Sequence, residues 1–66
     1  MINKKKIGDR LVKLRGDRSQ EEVSRKLKIS TSALRKYESG DRTPRDELKV
    51  KIAKFYGSSI QEIFFD

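Results

Sequence analysis

Two hydroxyl and two cationic side chains fall within six positions of the sequence: Thr31, Ser32, Arg35 and Lys36. Leu34 and Tyr37 would take the apolar side of a helix over this stretch, so the four polar side chains project from the other side. Arginine and lysine can bond guanine O6 and N7, hydroxyls can pair with several bases, and the Thr31 methyl can meet a thymine methyl. Arg35 or Lys36 could instead hold a phosphate, which positions a protein without reading base sequence.

The stretch 20–39 supplies the elements that would position these side chains. Val23 and Leu27 share one side of a first short helix, which ends at a tight polar turn. Ile29 in that turn can fill the angle between the helices, and Ser30 can cap the second helix. Two helices joined in this way form a helix-turn-helix, whose second helix can enter the major groove of DNA.

The same residues resemble the XRE-type, phage-repressor/Cro-like family of bacterial DNA-binding domains. The residues that match in order and spacing are Ser19-Gln20-Glu21-Glu22-Val23-Ser24, Lys28-Ile29-Ser30, Leu34, Tyr37-Glu38-Ser39-Gly40 and Pro44. The similarity continues through Ile52-Ala53 and Gly57 to Ile60 and Ile63. The resemblance implies an all-α, compact, five-helix lambda-repressor-like DNA-binding domain that spans residues 1–66, with the helix-turn-helix at about 20–39.

Two positions depart from the family pattern. Lys28 stands where the family usually has glycine, so a left-handed backbone there would cost roughly 1 kcal/mol. Ser24 replaces the usual alanine where the two helices approach each other, and its hydroxyl needs a hydrogen-bond partner. Both departures are compatible with the fold.

The resemblance also implies roles for single residues. Gln20 would clamp a DNA phosphate from the start of the second helix, where free backbone N–H groups already favour an anion. Thr31, Ser32 and Lys36 stand where similar proteins place base-reading side chains. A carboxylate late in a helix is disfavoured by the helix dipole, so Glu38 needs a cation beside it. In similar proteins that cation is an arginine late in the first helix; Arg15 is the candidate here, and Lys13 is the alternative.

Further cations and hydroxyls are candidates for phosphate contacts. Ser39, Arg42 and Thr43 follow the second helix of the pair, and a solvated loop is the alternative interpretation. Lys6, Arg10 and Lys13 recur at helical spacing and form a basic edge on the first helix. Of these we expect Lys6 and Arg10 to contact phosphates, with a solvated helix flank as the alternative.

Capping signals divide the rest of the chain into helices. Asn3 can cap a first helix that runs to about Arg15, with Ile2 and Ile7 at the spacing of a hydrophobic staple. Thr43 is the predicted cap of a fourth helix, with Pro44 in its first turn. Ser19 with Glu22 and Ser59 with Glu62 form Ser-x-x-Glu capping boxes, the first for the second helix and the second for a short fifth helix.

The chain carries more apolar residues at its end than one short helix can bury in so small a core. Ile60, Ile63, Phe64 and Phe65 are therefore the predicted interface of a homodimer. A tail folded back on its own chain is the alternative, and it fits Phe64 better than Phe65. Two copies on a palindrome would bind half-sites roughly 34 Å apart.

Composition narrows the function classes. The 66 residues carry 17 Lys and Arg against 10 Asp and Glu, and the net charge of +7 points to an anionic partner. There is no Cys and no His, so disulfides, thiolate chemistry and imidazole metal sites are excluded. No apolar run is long enough for a membrane span, and a soluble cytoplasmic protein is expected. No nucleophile and base can be paired, so we expect no enzyme, no cofactor and no small-molecule ligand.

Three functions are then compared. The first is sequence-specific binding of double-stranded DNA by a transcriptional regulator, most simply a repressor acting as a homodimer on an inverted repeat. The second is an antitoxin-type protein-interaction module that also binds its own operator; a neighbouring toxin gene or a copurifying protein would favour it. The third is non-specific binding of RNA or an anionic surface, which the lack of outward aromatic residues disfavours for single strands.

Overall fold

Helices account for most of the chain in the computed structural model, which describes residues 3–65. They are α1 (Lys4–Arg15), α2 (Gln20–Leu27), α3 (Thr31–Ser39), α4 (Asp46–Tyr56) and α5 (Ile60–Phe64). The predicted all-α, five-helix architecture is therefore confirmed. Ile2, half of the predicted staple with Ile7, lies outside the described residues.

Short polar side chains begin four of these helices as the capping pattern predicts. The Asn3 side chain accepts a hydrogen bond from the Lys6 N–H at 2.9 Å. Serine hydroxyls at positions 19, 30 and 59 each accept from the backbone N–H three residues later, all at 3.0 Å. At α5 the box is complete, because Glu62 Oε1 accepts from the Ser59 N–H at 3.0 Å. Each bond satisfies an N–H that the helix itself leaves unpaired, which fixes where the helix begins.

The start of α4 differs from the prediction. The helix begins at Asp46, and its cap is Arg45, which makes no side-chain capping bond. Thr43 and Pro44 therefore precede the helix instead of opening it. Pro44 is buried, so its ring anchors the preceding loop to the protein, and the chain stays extended through Arg45 (φ −67°, ψ 161°).

One apolar core joins the helices. Helix α1 packs against α3 and α5, α2 packs against α3 and α4, and α4 packs against α5. The buried apolar residues are Ile7, Leu11, Val23, Leu27, Leu34, Tyr37, Ile52, Ala53, Ile63 and Phe64. Every helix contributes to this core, which holds α3 from the side opposite its polar residues.

Helices α1 and α3 meet almost backbone to backbone. A Cβ atom added to Gly8 would overlap the carbonyl group of Glu38, so only glycine allows this contact. At the end of α3, Gly40 (φ 87°) also comes close to the first turn of α1, since a Cβ there would lie 3.1 Å from Lys5 Cα. The basic first turn of α1 therefore lies beside the C-terminal end of α3.

The turn between α2 and α3 has the left-handed backbone that was expected to cost energy at Lys28. Lys28 adopts a left-handed conformation (φ 59°, ψ 42°). Its backbone N–H donates to the Arg25 carbonyl at 3.1 Å, and the Ile29 N–H donates to the Ser24 carbonyl at 3.0 Å. Ile29 packs against the core. The turn thus closes α2 and directs the chain into α3 as a helix-turn-helix.

Candidate nucleic-acid interface

Helix α3 presents a polar side to solvent because its apolar side is fixed in the core. Leu34 is 1% exposed and Tyr37 is 8% exposed. Ser32, Arg35 and Lys36 are exposed, while Thr31 is half-buried. All four predicted base-reading residues thus lie on α3, and three of them are exposed.

Thr31 is half-buried because it contacts α2. Its hydroxyl oxygen lies 3.0 Å from the hydroxyl oxygen of Ser24, which is itself only 3% exposed. Ser24 Oγ also donates to the carbonyl oxygen of Glu21 at 3.0 Å. The buried Ser24 hydroxyl therefore has two hydrogen-bond partners, the Glu21 carbonyl and the Thr31 hydroxyl. Thr31 is also a candidate base-reading residue.

The carboxylate of Glu38 joins three elements beneath this surface. Arg15 Nε donates to Glu38 Oε2 at 2.8 Å, and Gln20 Nε2 donates to Glu38 Oε1 at 2.8 Å. The Glu38 side chain is 3% exposed and that of Arg15 is 19% exposed, so the pair is shielded from water. Between the two candidate cations, the structure thus pairs Glu38 with Arg15 and not Lys13.

The contact with Glu38 sets how Gln20 can act on a phosphate. Gln20 is the first residue of α2, where the helix leaves backbone N–H groups unpaired and favours an anion. A glutamine amide has two N–H donors, and Glu38 takes only one of them. The second N–H remains for an outside acceptor, and the bond to Glu38 fixes its direction.

Aromatic residues at the end of α4 close the other side of this network. The Arg18 guanidinium lies 5.3 Å from the ring centroids of both Phe55 and Tyr56, and it donates to the Leu14 carbonyl at 2.9 Å. Burial raises the pKa of Tyr56, and the Glu38 carboxylate raises it further, whereas Arg18 and Arg15 lower it. The Tyr56 hydroxyl oxygen is buried and has no hydrogen-bond partner among residues 3–65.

The predicted phosphate contacts around the end of α3 differ in how free they are. Arg42 and Lys6 are exposed, and Thr43 is half-buried in the extended loop. The Ser39 hydroxyl is exposed but donates to the Lys36 carbonyl at 3.1 Å, which leaves its oxygen as an acceptor. Arg42 and Lys6 are therefore the stronger of these phosphate candidates.

The structure corrects the role expected of Arg10. Its Nη1 donates to the backbone carbonyls of Phe65 at 2.8 Å, Glu62 at 3.1 Å and Ile63 at 3.4 Å. These carbonyls belong to the last turn of α5 and to Phe65 directly after it, where the helix offers no N–H partners of its own. Arg10 thus caps α5 rather than lying on an open basic edge, because α5 packs against this side of α1.

The residues predicted for the dimer interface differ in how deeply they are buried. Ile63 and Phe64 are 1% and 2% exposed within one chain, so they offer no surface to a second copy. The expectation for these two residues is wrong, because Arg10 holds α5 against the core of its own chain. Ile60 is half-buried, and Phe65 is 48% exposed.

Sequence reasoning missed the close contact at Gly8. Glycine in the middle of a helix costs about 1 kcal/mol relative to alanine, and it indicates a close approach when nothing else explains it. Gly8 lies inside the predicted first helix, between the apolar residues Ile7 and Leu11, so this signal was present in the sequence.

Residues 3–65 contain neither a metal-binding cluster nor a membrane-spanning helix. Across residues 3–65, the acidic side chains form no group of three or more that could hold a metal ion. None of the helices in this range is both long enough and apolar enough to span a bilayer.

Comparison with known proteins agrees with this geometry. A sequence model described as helix-turn-helix matches residues 10–63, a range that contains the whole of α2, α3 and α4. Neither the curated proteins nor the solved structures include a significant match. The family match spans most of the chain and covers both the Ser24–Thr31 contact and the Glu38 network. The chain therefore belongs to the Cro/C1-type (XRE) helix-turn-helix family of DNA-binding regulators.

Proposed function

We propose that this protein is a sequence-specific transcriptional repressor that reads the major groove of double-stranded DNA with α3 and binds an inverted repeat as a homodimer. The observation that carries the proposal is the exposed polar side of α3, with Ser32, Arg35 and Lys36 outward, held on a rigid apolar base. Residues 1–66 act as one DNA-binding unit in this proposal.

Base reading falls to the outward residues of α3. Arg35 and Lys36 can each donate to guanine O6 and N7, and Ser32 can pair with several bases. Arg35 and Lys36 are consecutive and therefore project about 100° apart around the helix axis. One of them can lie along the groove floor while the other reaches the phosphate chain, and their separate effects on base preference distinguish these roles.

Phosphate contacts would then flank α3 on both sides. Gln20 lies at the N-terminus of α2 with one amide N–H directed by Glu38 and one free. On the other side, the contact between Gly40 and the Lys5 backbone brings the first turn of α1 to the end of α3. Lys6 and Arg42, with Ser39 and Thr43, can therefore approach the same stretch of DNA backbone.

The homodimer in this proposal uses only the apolar surface that α5 leaves open. Phe65 is 48% exposed, and Ile60 is half-buried nearby in sequence. Light scattering at rising protein concentration should give twice the 7.7 kDa mass of one chain. Phe65→Ser should shift this equilibrium toward the monomer, and Val50→Ser, which removes a comparably exposed apolar residue from α4, should not. A wild-type mass that stays monomeric even on operator DNA would rule out the dimer.

Selection of binding sites from random duplex DNA tests the function directly. The expected product is a short inverted repeat whose half-sites lie roughly 34 Å apart along the helix axis. Its affinity should fall steeply as salt rises, because phosphate contacts release counterions. Selection that enriches no sequence, together with salt-dependent binding to every duplex, would show that charge alone drives the interaction.

A further inference from the structure

The hydroxyl pair between α2 and α3 has an arrangement of protons that can be deduced. Ser24 Oγ lies 3.0 Å from the Glu21 carbonyl oxygen and 3.0 Å from Thr31 Oγ1. A carbonyl oxygen can only accept, and each hydroxyl has a single proton to donate. Both contacts are hydrogen bonds at the same time only if Ser24 donates to Glu21 and Thr31 donates to Ser24.

Because the Ser24 hydroxyl is buried, this arrangement of protons affects which hydrogen bonds Thr31 can make. Ser24 is 3% exposed, so a lost bond there cannot be replaced easily by water. If Thr31 turned its proton outward, Ser24 Oγ would keep its bond to the Glu21 carbonyl but would have no donor opposite it. The arrangement that satisfies every group therefore leaves Thr31 with an oxygen that can accept a bond, a methyl group, and no free O–H.

We infer that Ser24 determines the base specificity of Thr31 by taking its only hydroxyl proton, although Ser24 itself touches no DNA. This inference rests on the proposed function, in which the first turn of α3 faces base edges in the major groove. Thr31 is the first residue of α3, and helix-turn-helix proteins contact bases with the N-terminal residues of this helix.

An oxygen that only accepts selects among the four bases. In the major groove, adenine presents the N6 amino group and cytosine presents the N4 amino group, both donors. Guanine O6 and N7 and thymine O4 are acceptors, and they would face the Thr31 oxygen without a proton between them. The base opposite the Thr31 oxygen should therefore be adenine or cytosine. A threonine whose proton was free could satisfy either kind of base.

The test begins from the operator that random-site selection yields for the unmodified protein. At each position of the half-site, adenine is replaced by purine, or cytosine by pyrimidin-2-one, so that only the exocyclic amino group is lost. One position should then lose affinity about threefold to tenfold, the effect of one hydrogen bond, and the loss should disappear in Thr31→Val. Thr31→Ser, which keeps the hydroxyl, should retain it.

Ser24→Ala then tests the role of the buried hydroxyl. Alanine is small enough for the position and removes the acceptor that holds the Thr31 proton. At the Thr31-dependent position, the preference for adenine or cytosine over guanine or thymine should fall about threefold or more. Adding Ser24→Ala to Thr31→Val should change the preference at this position no further. Circular dichroism and thermal melting of each variant check that it folds.

The outcomes separate this inference from the function on which it rests. If selection finds no operator, the proposed function itself fails. If an operator exists but no adenine or cytosine amino group contributes to affinity through the Thr31 hydroxyl, the proton arrangement is wrong. Full discrimination in folded Ser24→Ala would also overturn the role of Ser24. If Ser24→Ala does not fold, the affinity losses caused by removing single amino groups, compared between Thr31→Val and Thr31→Ser, still test whether the Thr31 oxygen accepts a bond from a base.

Discussion

Two adjoining regions of this small protein use their charged side chains in different ways. Around α2 and α3, the Glu38 carboxylate accepts hydrogen bonds from Arg15 and Gln20 at 2.8 Å each. The cations on the outer side of α3 stay exposed. Around α4 and α5, cations cover aromatic rings: Arg18 lies over Phe55 and Tyr56, and Lys49 Nζ lies 5.7 Å from the centre of the Phe64 ring.

The difference shows how a basic chain divides its charge between folding and binding. Near α5, arginine and lysine complete a core that is too small to close with apolar residues alone. Near α3, a buried acid organises the polar base of the surface, so Arg35 and Lys36 remain available for an anionic partner. A net charge of +7 therefore overstates the cations that DNA can meet and says nothing of where they lie.

Glu38→Ala should have the largest effect, because it breaks the polar centre of the first region. Arg15 would be left partly buried without its acid, and Gln20 would lose the acceptor that directs it. We expect the free energy of unfolding to fall by about 3–5 kcal/mol in chemical denaturation. Glu47→Ala, which removes an exposed acid from the first turn of α4, should cost only about 0.3–1 kcal/mol. Equal losses would mean that the Glu38 network contributes no more than a surface charge.

Phe64→Ala should be nearly as damaging in the second region. The ring is 2% exposed, and its removal leaves a cavity that should cost about 3–5 kcal/mol of unfolding free energy. The neighbouring Phe65 is 48% exposed, so Phe65→Ala should cost less than about 1 kcal/mol. A reversed order in chemical denaturation would contradict the burial of Phe64 in the core of its own chain.

Lys36→Ala separates binding from stability in the first region. Since Lys36 is exposed, folding should be little changed, while operator binding should weaken by about 1–3 kcal/mol if the side chain reads a base. Preference at one base position should relax at the same time. A loss that is uniform across sequences would instead assign Lys36 to a phosphate. Lys51→Ala on α4, which removes the same charge from an exposed position, is the matched control for fluorescence-based titrations.

Lys28→Gly should stabilise the turn that joins the two helices. Lys28 is held at φ 59°, where glycine has no steric penalty, so the free energy of unfolding should rise by up to about 1 kcal/mol. Lys26→Gly offers a control, because Lys26 is exposed within α2 and glycine there should lower stability by about 1 kcal/mol. Opposite signs for two lysines two residues apart would isolate the backbone as the cause.

Tyr56→Phe should have the smallest effect and should reveal itself mainly in alkali. Burial, followed by the Glu38 charge, raises the pKa of Tyr56 above its usual value of 10.0. The folded state therefore favours the protonated form. The stability this contributes is fully present below the unfolded value and is lost as pH rises through the folded pKa. Denaturation midpoints should fall less for Tyr56→Phe than for the wild type on passing to strongly alkaline pH. If the denaturation midpoints of the two proteins fell in parallel with pH, the pKa of Tyr56 would not be raised in the folded state.

Local signals predicted the helices of this protein well. Asn3, Ser19, Ser30 and Ser59 all cap helices, because a cap depends on neighbours only three residues away. The left-handed turn at Lys28 was likewise readable from one departure from the family pattern. The start of α4 was mistaken because burial of Pro44 against the rest of the chain outweighed the local capping pattern.

Partners that lie far apart in sequence were harder to predict. Helical spacing put Arg10 on a basic edge, but spacing cannot show that α5 packs there and that its end, with Phe65, supplies three carbonyls. Likewise, the composition of the C-terminal segment did not show that Ile63 and Phe64 fill the chain's own core. The Arg15–Glu38 pair was the exception, because the resemblance to a family supplied the distant partner.

Gly8 has a consequence for how proteins of this design can change their target. With the backbones of α1 and α3 in contact there, α3 can neither tilt nor slide without separating them. If α3 reads DNA as proposed, a new operator is therefore reached by exchanging its outward side chains and not by changing the orientation of the helix. In that case the absence of a side chain at Gly8 keeps the orientation of α3 constant while its outward side chains vary.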